Sequence, residues 1–247
     1  MTEVAIIGGT GLTSLKGLEI TRREVISTPY GEPSAPFTFG DFHGHEVVFL
    51  PRHGLGHTIP PHRINYRANI WAMKHLQVKY VIAVASVGGV REDMEPGQIG
   101  FPDQIIDYTW GRGHTFFDDL TNPVVHVDFT RPYCDDLRQK MIQAAASADL
   151  NAVDDGIYGA TQGPRLETTA EIQRMAGDSC SVVGMTGMPE ASLARELELC
   201  YATCAVVLNW AAGIGDSDHI DIDTFDEYIK MGMGKVRLLL QHVIPLL

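Results

Sequence analysis

The sequence predicts an α/β fold: one domain over residues 1–247, with helices packed on a mainly parallel sheet. Three observations carry this expectation. Strand-like apolar runs recur along the chain, helix-period segments lie between them, and several runs lack polar alternation, as strands covered on both faces do. No internal repeat, low-complexity segment or Pro/Gly/Ser linker divides the chain.

The runs are VAII (4–7), EVVFL (46–50), YVIAVAS (80–86), GIYGAT (156–161), SVVGM (181–185) and YATCAVVLN (201–209). Between them, residues 62–76 place Ile64, Ala68, Trp71 and His75 on one helical face, and residues 133–148 do the same with Leu137, Met141, Ala144 and Ala148. A last helix opens at Asp223 as N-cap, with Asp226 and Glu227 in its first turns. Its buried stripe is Phe225, Ile229, Val236, Leu240 and Val243. The Gly- and Pro-rich stretches 29–36, 51–61 and 110–123 read as surface or site loops.

A chain that is 45% hydrophobic and 20% charged has the make-up of an ordinary soluble enzyme or binding domain. Its net charge of −12 argues against nucleic acid or an anionic membrane as partner, because both require an extended positive face. A small anion can still be held by a few local donors. Cys134, Cys180, Cys200 and Cys204 show neither C-x-x-C nor metal-ligand spacing, so the expectation is reduced thiols in a cytoplasmic protein. The N-terminus has no secretory pattern, and no run approaches the ~20 apolar residues of a membrane span.

The chemistry begins at VAIIGGTGL (4–12), a strand that breaks into glycines. Gly9-x-Gly11-x-x is followed by Ser14, so the dinucleotide fingerprint is incomplete, and no Gly-Lys-Ser/Thr follows for a triphosphate loop. What remains is a short turn whose backbone N–H groups and Thr10 hydroxyl can converge on an anion. Alone it would be a plain tight turn. Three further strand ends change the balance: Arg52 and His53 after FLP, Ser86 in VASVGGV, and Met185 and Thr186 before a helix that starts at Pro189 with Glu190 in its first turn. Arg offers a rigid fork to phosphate oxygens and His a switchable donor. Four such ends at the carboxyl edge of a parallel sheet favour a phosphate-using site.

Taken together, IIGGTGL, RHGLGHTIPPHRINYRANIWA, TQGPRLETTAEI and GMTGMPEA resemble the purine nucleoside phosphorylase and methylthioadenosine phosphorylase family, trimeric branch, in order from residue 4 to about residue 243. The resemblance implies a three-layer sandwich with a central twisted, mixed sheet, a homotrimer, no metal and no organic cofactor. It implies that inorganic phosphate, as co-substrate, attacks the anomeric carbon of a purine nucleoside. By position, Thr10, Arg52, His53 and Thr186 resemble the phosphate shell, with the backbone and hydroxyl at Ala85 and Ser86 beside it. Met185 resembles the residue packed on the ribose. His57 and His126 resemble histidines near the 5′ end of the sugar, His126 reaching in from a neighbouring subunit.

At the base, methylthioadenosine-type members carry a Ser and an Asp-x-Asp pair where this chain has Glu167, Asn209 and Ala211, with Leu166 beside Glu167. Glu and Asn are the pair of the 6-oxopurine members. The chemistry agrees, because ionised Glu167 accepts from N1–H of a 6-oxopurine while the Asn209 amide donates towards O6 and N7. Adenine would oppose both groups, and an unpaired buried polar group costs ~1–3 kcal/mol. In DSDHIDIDTFDEYI, Ile222 falls at the apolar position of the methylthio members, with His219 three residues away. An oxopurine base site joined to an apolar 5′ site implies S-methyl-5′-thioinosine as substrate. The alternatives are S-methyl-5′-thioadenosine, inosine or guanosine, and, from a different class, a nucleoside-binding module without catalysis.

Overall fold

The computed structural model describes residues 2–118, 120, 123–215 and 225–247. Eleven strands form one sheet: β1 (Val4–Gly8), β2 (Leu18–Glu24), β3 (Phe37–Phe42), β4 (His45–Pro51), β5 (Tyr80–Gly89), β6 (Ile99–Gly100), β7 (Gln104–Asp107), β8 (Ala152–Val153), β9 (Ile157–Ala160), β10 (Cys180–Gly184) and β11 (Cys200–Trp210). Five helices accompany them: α1 (Tyr66–His75), α2 (Asp135–Ser147), α3 (Thr169–Gly177), α4 (Gly187–Glu196) and α5 (Phe225–Val243). Among the described residues no helix is long and apolar enough to cross a membrane.

The layering follows from β1. Its unbroken apolar sequence is buried throughout. Because successive side chains point to opposite faces, Ala5 and Ile7 enter one core cluster and Val4 and Ile6 another. The first cluster is closed by Ile70 and Met73 of α1 and Ala191 and Leu193 of α4. The second is closed by Leu137 and Met141 of α2 and Val236 and Leu240 of α5. A strand apolar on both faces is thus covered on both, which is the predicted three-layer sandwich.

The sheet is mixed, as the resemblance implies, with six of its ten strand pairings parallel. β1 lies parallel between β4 and β5, and β11 runs parallel to β5. β2, β3 and β4 form an antiparallel meander, while β10 runs antiparallel to β5 and parallel to β9. Within the meander β4 contains the expected run EVVFL, whereas β2 escapes an apolar-run search because six of its seven residues, LEITRRE, are exposed. The β3–β4 hairpin turns on His43 and Gly44, both at positive φ (54° and 88°), with the Gly44 N–H donating to Asp41 Oδ1.

Three helix readings shift. In α1 the buried side is Ala68, Asn69, Ile70, Ala72 and Met73, whereas His75 is exposed and stacks on half-buried Trp71, ring centroids 5.0 Å apart. In α5, Val236, Leu240 and Val243 are buried as the periodicity requires, but Phe225 and Ile229 are half-buried. The Asp223 cap lies outside the described residues. α4 starts at Gly187, earlier than Pro189, with Met188 and Pro189 departing from helical φ/ψ inside it.

The thiols also differ from expectation. Cys134, N-cap of α2, and Cys200, first residue of β11, form a disulfide across 66 residues of sequence, while Cys180 and Cys204 are free and buried. Neither spacing nor count could signal this pairing. It arises because the chain brings the start of α2 back to the start of β11, where Cys134 N–H also donates to the Tyr201 carbonyl at 2.8 Å.

Candidate active site

A cavity of about 380 Å³ opens where the end of β10 meets β5. The expected arrangement, four strand ends on one carboxyl edge, holds for β1 and β4. It is modified at β5, whose Ala85 and Ser86 lie within a strand that continues to Gly89, and at β10, which arrives from the opposite direction. Of the residues expected in the site, Thr10, Arg52, His53, His57, Ala85, Ser86, Leu166, Glu167, Met185, Thr186, Asn209 and Ala211 all line this cavity. His126 is exposed and does not line it. Residues 219 and 222 lie outside the described residues.

The end of the cavity near β1 and β4 is built from backbone contact and one buried ion pair. A Cβ on Gly9 would stand 2.7 Å from the Val84 carbonyl oxygen, so only glycine lets the β1 turn press against β5. The Arg52 N–H donates to the Gly8 carbonyl at 2.9 Å, and the Ser86 hydroxyl donates to the Thr10 carbonyl at 3.0 Å. Arg52 itself is 1% exposed. Its Nε and Nη2 donate to the two Glu190 oxygens at 2.7 and 2.8 Å, and Nη1 donates to the Val84 carbonyl at 2.9 Å. Burial would lower the affinity of the guanidinium for its proton, but the Glu190 charge and hydrogen bonds outweigh it and hold the pKa above its usual value. Glu190 is therefore more than a first-turn acid: it is fully buried, accepts also from the Tyr201 hydroxyl at 2.9 Å, and carries the cation of the site. Its partner lies 138 residues away, so no local pattern could reveal it.

His53 behaves differently from the switchable donor expected. Its Nδ1 lies 2.8 Å from the Ile59 carbonyl, and a carbonyl only accepts, so Nδ1 carries the proton and the neutral ring offers a lone pair at Nε2. Burial, with Arg52 and His57 nearby, outweighs that hydrogen bond and pushes its pKa down from 6.5 to about 4. A His lowered on folding adds stability that is complete above pH ~6.5 and is lost as pH falls towards 4, because the unfolded chain then binds the extra proton. The expected result is that urea unfolding shows a larger loss of stability between pH 7 and pH 5 for the parent than for His53→Asn. Equal losses would refute this protonation state.

At the opposite chemistry, β11 bears a register shift between Val207 and Asn209. In a regular strand neighbours face opposite ways, yet Leu208 and Asn209 both line the cavity, as a bulge permits. The Asn209 Nδ2 donates to the Trp210 carbonyl at 2.7 Å, which leaves one amide N–H for a ligand rather than the two expected. Glu167 sits ahead of α3, whose Thr168–Glu171 capping box fixes the helix start, and its Oε1 accepts from the Thr161 hydroxyl at 2.6 Å. Among the described residues no hydrogen-bond donor reaches its other carboxylate oxygen. Phe225, expected in the buried stripe of α5, instead lines the cavity, as does Val183. The periodicity placed Phe225 one turn too deep, because the first turn of an amphipathic helix can project beyond the core it packs on.

The model of the phosphorylase superfamily matches residues 3–245. A protein of Pseudomonas syringae pv. tomato named "Probable S-methyl-5'-thioinosine phosphorylase" is 50% identical over 244 residues, covering 99% of each chain. The "6-oxopurine nucleoside phosphorylase" of Pyrococcus furiosus is 45% identical, covering 100% of this chain and 94% of its own. Among solved structures, methylthioadenosine phosphorylase from Schistosoma mansoni in complex with adenine superposes with a TM-score of 0.94 at 32% identity, covering 100% of this chain and 92% of that one.

Proposed function

Because this chain belongs to the phosphorylase superfamily, we propose that it catalyses the phosphorolysis of S-methyl-5′-thioinosine to hypoxanthine and 5-methylthioribose 1-phosphate. The observation that carries the reading is that Glu167 and Asn209 line the same cavity as Thr10, Arg52, His53 and Thr186. Phosphate sits among Thr10, Arg52, His53, Ala85, Ser86 and Thr186, where Arg52 has engaged three of its N–H groups with protein and keeps two. The neutral His53 accepts at Nε2 from the hydroxyl of monohydrogen phosphate. A phosphate oxygen bonds to C1′ as the C1′–N9 bond breaks. The bonding pair passes into the purine through an oxocarbenium-like transition state, and the proton that phosphate carried balances the one the base takes up. Asn209 stabilises charge developing at N7, and Arg52 and His53 act by holding the nucleophile in line. No metal or organic cofactor is needed.

Met185 packs on the ribose and His57 lies towards its 5′ end. The apolar wall that Phe225 adds, together with the expected Ile222, suits a methylthio group, whose burial contributes ~25 cal/mol per Å². His126 serves the site of a neighbouring subunit in a homotrimer. The exposure of Trp110 (72%), Val124 (79%) and Val125 on the segment that carries it supports a subunit contact there. The sheet running through the chain supports reading 1–247 as one domain.

The test is phosphate-dependent release of free base from S-methyl-5′-thioinosine, S-methyl-5′-thioadenosine and inosine side by side. The expected order of kcat/KM places S-methyl-5′-thioinosine first, with hypoxanthine and no hydrolysis without phosphate. A preference for the adenosine compound would transfer the assignment to the 6-aminopurine reaction, and turnover of none would leave a binding module.

A further inference from the structure

Two buried polar side chains outside the proposed ligand shell stand in series behind Glu167: Thr161 bonds its carboxylate, and Arg112 bonds the Thr161 carbonyl. Thr161 directly follows β9 and is 7% exposed. Its Oγ1 lies 2.6 Å from Glu167 Oε1 and 3.3 Å from the Gly184 carbonyl, and since a hydroxyl has one proton the shorter contact takes it. Behind Thr161 lies Arg112, also buried. Unlike Arg52, it spends its guanidinium on neutral oxygens. Its Nη2 donates to the carbonyls of Thr161 (3.2 Å) and Gln162 (2.8 Å), and Nη1 to those of Met185 (2.9 Å) and Met188 (2.6 Å). Its Nε reaches Gln162 Oε1 and Nη1 also the Tyr66 hydroxyl, both at 3.2 Å.

These carbonyls belong to two segments with separate duties. Thr161 and Gln162 lead into the turn that ends at Glu167, and Met185 and Met188 bracket Thr186. The segments also touch directly, because a Cβ on Gly163 would overlap the Met185 sulfur. A planar fork with five donors can bind both segments at once, which a lysine ammonium cannot do. The carboxylate torsion of a Glu is otherwise soft. A hydroxyl bound to Oε1 therefore decides which oxygen is presented to the base.

We propose that Thr161 and Arg112 are positioning residues: Thr161 fixes the Glu167 carboxylate for base selection, and Arg112 locks the base turn to the strand end carrying Met185 and Thr186. This rests on the reading of Glu167 as the partner of purine N1–H. Without the Thr161 hydroxyl the carboxylate rotates away from an adenine N1 lone pair and the penalty against 6-aminopurines shrinks. Without Arg112 the base and phosphate ends lose their mutual alignment, which lowers the rate of the bound complex more than the affinity for either ligand.

The experiment compares Thr161→Val, Thr161→Ser, Arg112→Ala and Arg112→Lys with the parent. It measures kcat and KM for S-methyl-5′-thioinosine and S-methyl-5′-thioadenosine, and KM for phosphate, per folded active site. Thr161→Val is expected to reduce the 6-oxo over 6-amino ratio of kcat/KM about tenfold, the worth of one hydrogen bond to a charged group, with phosphate KM unchanged. Thr161→Ser restores the ratio. Arg112→Ala is expected to lose about tenfold in kcat on both nucleosides with KM values within about twofold, and to recover part of it on addition of guanidinium. If Arg112→Ala does not fold, Arg112→Lys gives the same kcat loss with KM kept. Glu167→Gln separates the two levels of the argument. If it collapses the ratio while Thr161→Val leaves it intact, the role of Thr161 is overturned and the base reading stands. If Glu167→Gln itself leaves the ratio intact, the base reading fails. An unchanged kcat in the folded Arg112 variants overturns the role of Arg112.

Discussion

Asn209→Asp is expected to swing base preference from 6-oxopurines towards 6-aminopurines, changing the ratio of kcat/KM for S-methyl-5′-thioinosine and S-methyl-5′-thioadenosine on the order of a hundredfold. The amide of Asn209 has one N–H committed to the Trp210 carbonyl, and in the proposed reading the other donates to the purine. An aspartate in its place has only acceptors, and would oppose both the O6 and N7 of a 6-oxopurine while accepting from the 6-amino group of adenine. The same change sets a carboxylate oxygen against the Trp210 carbonyl, so overall kcat falls as well. Glu167 still opposes the adenine N1 lone pair, so the single variant shifts the preference without completing the exchange, and adding Glu167→Ser is expected to carry it further. Steady-state kinetics on the two nucleosides decide the matter. Parent-like selectivity in Asn209→Asp would remove Asn209 from the base site.

Glu190→Gln is expected to destabilise the protein by about 3–5 kcal/mol and to raise the KM for phosphate, because it strands a guanidinium in a dry interior. Arg52 and Glu190 are 1% and 0% exposed, and their bidentate contact is the only opposite charge the Arg52 side chain meets among the described ion pairs. A neutral amide can accept one of the two bonds but cannot balance the charge. The paired replacement Arg52→Met with Glu190→Leu isolates the cause. It is expected to recover most of the lost stability, since a buried ion pair adds little over a packed apolar pair, while phosphorolysis stays abolished. Unfolding free energies of the parent, Arg52→Met, Glu190→Leu and the double variant complete the cycle. An unfolding free energy of Glu190→Gln within about 1 kcal/mol of the parent would mean that Arg52 finds another counter-charge.

What could be read from the chain was whatever depends on neighbours in sequence. β1, β5 and β11 announce themselves as apolar runs because both their faces are buried, and α2 because its apolar spacing matches its turn. The Thr10 turn and the adjacent Arg52 and His53 were legible because residue type limits the chemistry such groups can do, and Glu167 and Asn209 because they fall at the base positions of the family the motifs resemble. β2 was not, since an exposed edge strand needs little apolar content, and two-residue strands such as β6 and β8 exist only through their pairing. The direction of β10, and with it the true position of the cavity, rests on pairing with β5 that leaves no mark in the apolar pattern.

The sequence by itself determined the α/β class and, through the family resemblance of its motifs, most of the residues picked out in advance that line the cavity. Tertiary structure alone decided the protonation and partners of those residues: Glu190 beneath Arg52, the Ile59 carbonyl that turns His53 into an acceptor, the bulge that brings Asn209 into the cavity, and the union of Cys134 with Cys200. The reason is physical. A side chain's identity sets which bonds it can make, but its charge state and free valences depend on burial and on groups brought near by folding, and those lie from 6 residues away, as Ile59 from His53, to 138, as Glu190 from Arg52.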